Sequence, residues 1–230
     1  MHDARIEQID AQFARHWWRA LMANAVALVK DAALLASHDS PGRAQSLVVL
    51  SMEELAKARW LYQAAEQQWT APLGLYGQAP KEPGPVEVPE GLRSTRRPHA
   101  QKLQVAEQFA SGLAGFWDPA RRIEYYVLAD LPTFEEAARQ LNLNKQAGFY
   151  VDRSGDSITS PLHVPDAGVA DEIRRAAKVI QMHLIEDHTR QQDCPDPSRI
   201  DSAEELHWAV MPYSDPELFH DFIRRNGGAD

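Results

Sequence analysis

The chain has 230 residues, 44% of them hydrophobic, with 24 lysines and arginines against 33 aspartates and glutamates for a formal net charge of −9. That supplies a real core in one large domain, or in a domain with an elaborated C-terminal half, and the charge is too mixed for disorder. The acidic balance excludes a global electrostatic grip on nucleic acid, so such contact needs a local basic patch, and the single cysteine, Cys194, excludes an intramolecular disulfide and a cysteine metal cluster.

Met1–Asp10 is charged and carries no signal-peptide pattern. No stretch approaches the ~20 apolar residues of a membrane span. The expectation is a cytoplasmic protein with no membrane partner.

Helical spacing of Phe13, Trp17, Leu21, Ala25, Leu28, Ala32 and Leu35 predicts a first helix from about Ile6 to Ser37. Ser40 is a good N-cap and Pro41 fits a first helical position, so a second helix runs to about Trp69. The short turn between them implies an antiparallel helical hairpin. Thr70–Pro98, with six prolines, reads as a long irregular loop. A third helix runs from near Pro98 to about Gly115, and Asp118-Pro119 begins a fourth. Thr133-Phe-Glu-Glu136 is a capping box for a fifth. Phe149–Asp152 is the one convincing extended piece, and Ser154-Gly155-Asp156 turns the chain after it. A long helix follows over about Ala167–Gln192. Ser202-Ala-Glu-Glu205 caps the first of two short final helices, and Asp215-Pro216 starts the second. The expected fold is all-α: a helical core over residues 1–130 and a C-terminal helical extension over 131–230, with a short hairpin-like segment near 149–160.

Two groups of residues could carry chemistry. Glu53, Glu54 and Lys57 lie on the second helix, where Glu53 and Lys57 are four apart and Glu54 and Lys57 three apart, so either pair can meet. On a helix surface such a pair is a solvated contact of small energy. Here Leu47–Leu50 precede the charges and Ala56, Ala58, Trp60 and Leu61 follow, so the helix is central. Charges there must be paired, and they either lock the core or face a cleft. The second group, Arg93, Arg96, Arg97, His99 and Lys102, contains no acid. His99 and Lys102 share a face at a helix start, whose free N–H groups and dipole favour a phosphate. The alternative is a basic loop end that offsets the acidic body. His183 and His188 do not have the spacing of a helical metal face, and no motif of the chain indicates a metal or other cofactor. The tryptophans Trp17, Trp18, Trp60 and Trp69 are simplest as core.

Asn24–Leu35, the Ser40-Pro-Gly-Arg43-Ala44 turn and Ser51-Met-Glu53-Glu54-Leu-Ala-Lys57-Ala together resemble the AbiV abortive-infection proteins of the HEPN superfamily. His99-x-x-Lys102 resembles that family's His-x-x-Lys element. Lys145-Gln-Ala-Gly-Phe149-Tyr150-Val151-Asp152 resembles a later Lys-x-x-Gly-Leu-Tyr-Val-Asp element. The resemblance covers roughly Ala20 to Gln181. It implies a four- to five-helix HEPN bundle, often a dimer, acting in bacterial defence against phage. Many HEPN proteins are metal-independent ribonucleases with an Arg, four to six intervening residues and then a His on one helix. Here that spacing occurs only from Arg93 to His99, across Pro98, which separates the two.

Two expectations follow. In the first, the protein cleaves RNA: His99 is general acid or base, Lys102 with Arg93, Arg96 or Arg97 holds the phosphate, and Glu54 pairs with Lys57 to orient the basic group. Glu53, Tyr150 and Asp152 then border the site, with a phage-encoded activator and a second copy of the chain as partners. In the second, the protein is a non-catalytic binding protein that shuts down translation through a phage or host partner. Glu53, Glu54, Lys57 and His99 then form a buried network. An open cleft favours the first and a sealed cluster the second.

Overall fold

The computed structural model describes residues 6–69, 83–93, 99–117, 133–192 and 201–226. The side chain of Asp10 accepts from the backbone N–H of Gln12 at 2.8 Å and of Phe13 at 3.2 Å, and this cap sets the start of α1 (Ala11–Ala36). Periodicity alone starts the helix at Ile6. The residues before the cap are instead extended: β1 (Gln8–Ile9) pairs antiparallel with β2 (Val86–Glu87), Ile9 opposite Val86. The expected extended piece Phe149–Asp152 is therefore not the sole one, and its bounds shift: Phe149 ends a helix, and of the four residues only Asp152 lies in a strand. The ladder has no local sequence signal because its two strands are remote in the chain.

A turn with Asp39 at φ 54 reverses the chain into α2 (Pro41–Trp69). Pro41 occupies the expected first position. The buried stripe of α1 is Ala14, Trp18, Leu21, Met22, Ala25, Val26, Val29 and Ala32, rotated from the expected one. Phe13 is 58% exposed. The rotation follows from the neighbours of α1: it packs on α2 and on two helices of the C-terminal half. Many fully buried positions on α1 and α2 are alanine, among them Ala14, Ala25, Ala32, Ala44, Ala56 and Ala58. Small residues let the axes come close.

Within the Pro-rich stretch, residues 83–93 hold β2 and a short helix α3 (Glu90–Arg93). α4 runs His99–Trp117. The helix expected at Asp118-Pro119 lies outside the described residues. α5 (Phe134–Phe149) begins with the Thr133 capping box as expected. It lies against α2 and α4, and at its end Gly148 comes up against Gly42 and Ser46. A Cβ at Gly148 would fall 2.0 Å from the Gly42 carbonyl oxygen, so only glycine fits.

β3 (Asp152–Ser154) and β4 (Ser157–Thr159) form a hairpin closed by Gly155-Asp156. Gly155 has φ 61, which suits the first central position of a type II′ turn. Tyr150 and Val151 precede the strand; Tyr150 caps α5 and both are exposed. α6 (Val169–Gln192) then packs on α1 and α2, α7 (Glu204–Ser214) on α6 and α1, and α8 (Pro216–Asn226) on α7. The Ser202 capping box does not form: Ala203 is the N-cap and makes no side-chain cap bond. Two other things fix that helix start, the burial of Ala203 and the pairing of Asp201 with Arg15 and Arg19. At α8 the Asp215 carboxylate accepts from Leu218 N–H at 3.0 Å, as Asp-Pro predicts. No helix among the described residues is long and apolar enough to cross a membrane.

Candidate functional site

α2 is buried along much of its length, and Glu53 sits on the side where α4 and α5 meet it. Three basic side chains from those two helices surround its carboxylate. His99 Nδ1 lies 2.7 Å from Oε2, Lys145 Nζ lies 2.5 Å from Oε1, and Lys102 Nζ lies 3.7 Å from Oε2. The side chains of Glu53 and Lys145 are 4% and 9% exposed, that of Lys102 is 18% and that of His99 is 53%. The cluster is thus sealed at its carboxylate and open at its imidazole.

The chemistry of the set fixes the protons. As a carboxylate, Glu53 can only accept. The proton between Glu53 and His99 therefore sits on Nδ1. In its neutral form the ring then presents the Nε2 lone pair away from Glu53, the arrangement in which a carboxylate fixes an imidazole tautomer for base catalysis. Two ammonium groups face one carboxylate, so the cluster carries an excess positive charge before His99 takes a second proton. Of the two, Lys102 is beyond hydrogen-bond distance and is the more exposed. It is the cation available to an incoming anion.

The remaining candidates are placed as follows. Glu54 meets Lys57 at 2.5 Å, the three-residue pairing that spacing allows, on a strip of α2 beside Glu53. The carboxylate in contact with His99, and the nearer neighbour of Lys102, is that of Glu53. Arg93 donates to the Val88 carbonyl and to Glu87, so among its described contacts it ties α3 to β2. Arg93 and His99 lie on different helices, α3 and α4. Arg96 and Arg97 lie outside the described residues. Tyr150 and Asp152 are exposed at the end of α5 and the start of β3. Sequence reasoning missed Lys145 as a site residue. Two signals pointed to it: a buried Glu53 needs a counter-charge, and Lys145 lies one helical turn from Gly148, where α5 touches α2.

A second ionised cluster lies among α1, α2 and α6. Arg15 grips Asp187 through two hydrogen bonds of 2.7 and 2.8 Å, both residues buried, and its guanidinium lies 4.4 Å from the centroid of the Trp18 ring. Burial works against the Arg15 charge, but the bonds and charge of Asp187 outweigh it and hold the proton more firmly than usual. Trp18 donates its indole N–H to His183 Nε2 at 3.1 Å, leaving His183 Nδ1 3.2 Å from Glu186. Burial pushes His183 below the ordinary imidazole range; Glu186 pulls the other way, and Arg59 adds to the lowering. Tyr62, Phe109 and Trp18 stand edge-on to this ring, so every side of it is packed. This cluster is a core, as the sequence reading of Trp18 holds. No group of three or more possible metal ligands occurs among the described residues.

In comparison with known proteins, the family model described as AbiV, of the HEPN class, matches residues 13–181. No curated protein and no solved structure matches the chain. The matched span holds Glu53, His99, Lys102 and Lys145.

Proposed function

The chain belongs to the AbiV family of HEPN proteins, a family of abortive-infection phage defence, and from that premise we propose that it acts as a ribonuclease by the acid–base chemistry of His99. One observation carries the proposal: a buried carboxylate holds Nδ1 of an imidazole whose other edge is open. His99 Nε2 takes the proton of a ribose 2′-hydroxyl. The 2′-oxygen attacks the adjacent phosphorus, the P–O5′ bond breaks, and the leaving oxygen takes a proton from water. The products are a 2′,3′-cyclic phosphate and a 5′-hydroxyl. Lys102 stabilises the charge that builds on the phosphoryl oxygens. No step requires a metal. The test is cleavage of total bacterial RNA by purified protein in EDTA beside His99→Ala. Loss of cleavage in the variant alone supports the assignment, and equal cleavage by both removes it.

A second reading rests on a different observation. Phe149, Tyr150, Val151, Ile158 and Leu162 are all exposed around the β3–β4 hairpin. An apolar surface of this kind suits a protein partner, either a phage product or a second copy of the chain. In this reading the protein acts by docking alone. RNA left intact while translation stops would favour it.

A further inference from the structure

We propose that Lys145 is a positioning residue of the site: it acts through Glu53 to hold the proton of His99 on Nδ1. The proposal deepens the ribonuclease reading and rests on it for its purpose. Its geometry stands independently.

Glu53 has two carboxylate oxygens and three basic neighbours. Lys145 takes Oε1 at 2.5 Å, while His99 takes Oε2 at 2.7 Å and Lys102 waits 3.7 Å from that same oxygen. With Oε1 held from α5, the carboxylate cannot rotate, and Oε2 stays aimed at Nδ1. Without Lys145 the nearest competing cation is Lys102, which closes on Oε2 at the expense of His99.

The position of Lys145 is itself held by backbone. Its carbonyl accepts from Ser46 Oγ at 2.8 Å, and one turn on, Gly148 lies against Gly42 and Ser46. Those contacts dock α5 on α2 without any charge. An apolar side chain at 145 would fill the same space without the desolvation cost of a buried ammonium. The charge therefore serves the carboxylate it touches, and through it the imidazole. Lys145 is buried beneath that layer, so it steers the reacting group without meeting substrate.

The test reads the His99 tautomer in the full-length free protein, by two-bond proton–nitrogen NMR with the resonance assigned from its loss in His99→Gln. The wild type should show Nδ1–H. Lys145→Met should lower the ratio of Nδ1–H to Nε2–H about fivefold, the factor that one net hydrogen bond of ordinary strength supplies. Lys145→Arg, which keeps the charge, should retain most of the wild-type ratio. An unchanged ratio in Lys145→Met, with only the melting temperature lowered, overturns the proposal and leaves Lys145 a packing pair. A mutation-free measurement covers the case in which that variant does not fold. In the wild type the Lys145 ammonium resonance should move in step with titration of the His99 ring, and a resonance that stays still overturns the coupling. No RNA enters either experiment. A tautomer shift in a protein that cleaves nothing would keep the role of Lys145 and remove the ribonuclease reading.

Discussion

Gly148→Ala tests the contact that brings α5 to the site. The new methyl carbon would lie 2.0 Å from the Gly42 carbonyl oxygen and 2.1 Å from Ser46 Oγ. Ordinary contact begins near 3.4 Å, so α5 must retreat by about 1.4 Å, the difference from 2.0 Å. The Gly42 oxygen is backbone in the first turn of α2 and cannot turn aside. A retreat of that size breaks the 2.8 Å bond from Ser46 to the Lys145 carbonyl. Overpacking costs about 1–3 kcal/mol and a lost buried hydrogen bond about 1 kcal/mol more. A loss near 3 kcal/mol lowers the melting temperature of a chain this size by roughly 6–12 °C. Thermal melting followed by circular dichroism measures it, with Gly112→Ala as a control. A Cβ at Gly112 meets nothing within 4 Å in the exposed face of α4, so the same substitution there should stabilise by about 0.5–1 kcal/mol. A Gly148→Ala melt within 1–2 °C of wild type, or the same sign for both variants, would refute the reasoning.

Three further outcomes are expected. Arg15→Met leaves Asp187 buried without its guanidinium and should cost about 3–5 kcal/mol by urea unfolding, most of it recovered when Asp187→Leu is added. Stability should fall as pH drops below the ordinary imidazole value of 6.5, because the unfolded chain binds protons there that buried His183 refuses. Each such group adds a slope of at most ~1.4 kcal/mol per pH unit. His207, also lowered by burial and by His188, adds to the same window, and His183→Gln should flatten the slope while keeping an acceptor for Trp18. Glu54→Gln removes a partly exposed pair with Lys57 and should cost no more than ~1 kcal/mol, with RNA cleavage retained within a few-fold.

What the sequence makes legible here follows the range of the forces involved. Caps, turns and periodicity act within a few residues, so Pro41, the Thr133 capping box, the Gly155 turn and Asp215-Pro216 are readable and appear in the structure. His99 and Lys102 share a face by spacing alone, and both reach Glu53. The unread parts depend on distant partners. The β1–β2 ladder has strands at Gln8 and Val86 with no shared local pattern. The face of α1 turned toward Trp18 because α6 and α7 cover it, and no window on α1 contains them. The sequence reading gives the orienting role to Glu54 and sets Glu53 at the border of the site, because adjacent helical residues differ only in the side they show and it is α4 and α5 that bring His99 and Lys145 to Glu53.

The two ionised clusters differ in a way that separates core from site. In the Arg15–Asp187 pair both partners are buried, the two carboxylate oxygens meet two guanidinium nitrogens, and aromatic rings close the surroundings. Within the buried pair charge is matched one to one, with the partly exposed Asp201 as a further partner of Arg15, and an apolar pair could take its place. At Glu53 the count is unequal: one carboxylate serves two ammonium groups and an imidazole, and the least buried of the three is the group able to exchange a proton. A network selected only for packing gains nothing from surplus charge, which must be desolvated without a partner. A surplus that ends in an exposed imidazole is instead what an incoming phosphate can complete. The same residue count thus supplies both the sealed carboxylate that a structural network needs and the open edge that a catalyst needs. Cleavage by the wild type and by His99→Ala decides which of the two the chain uses.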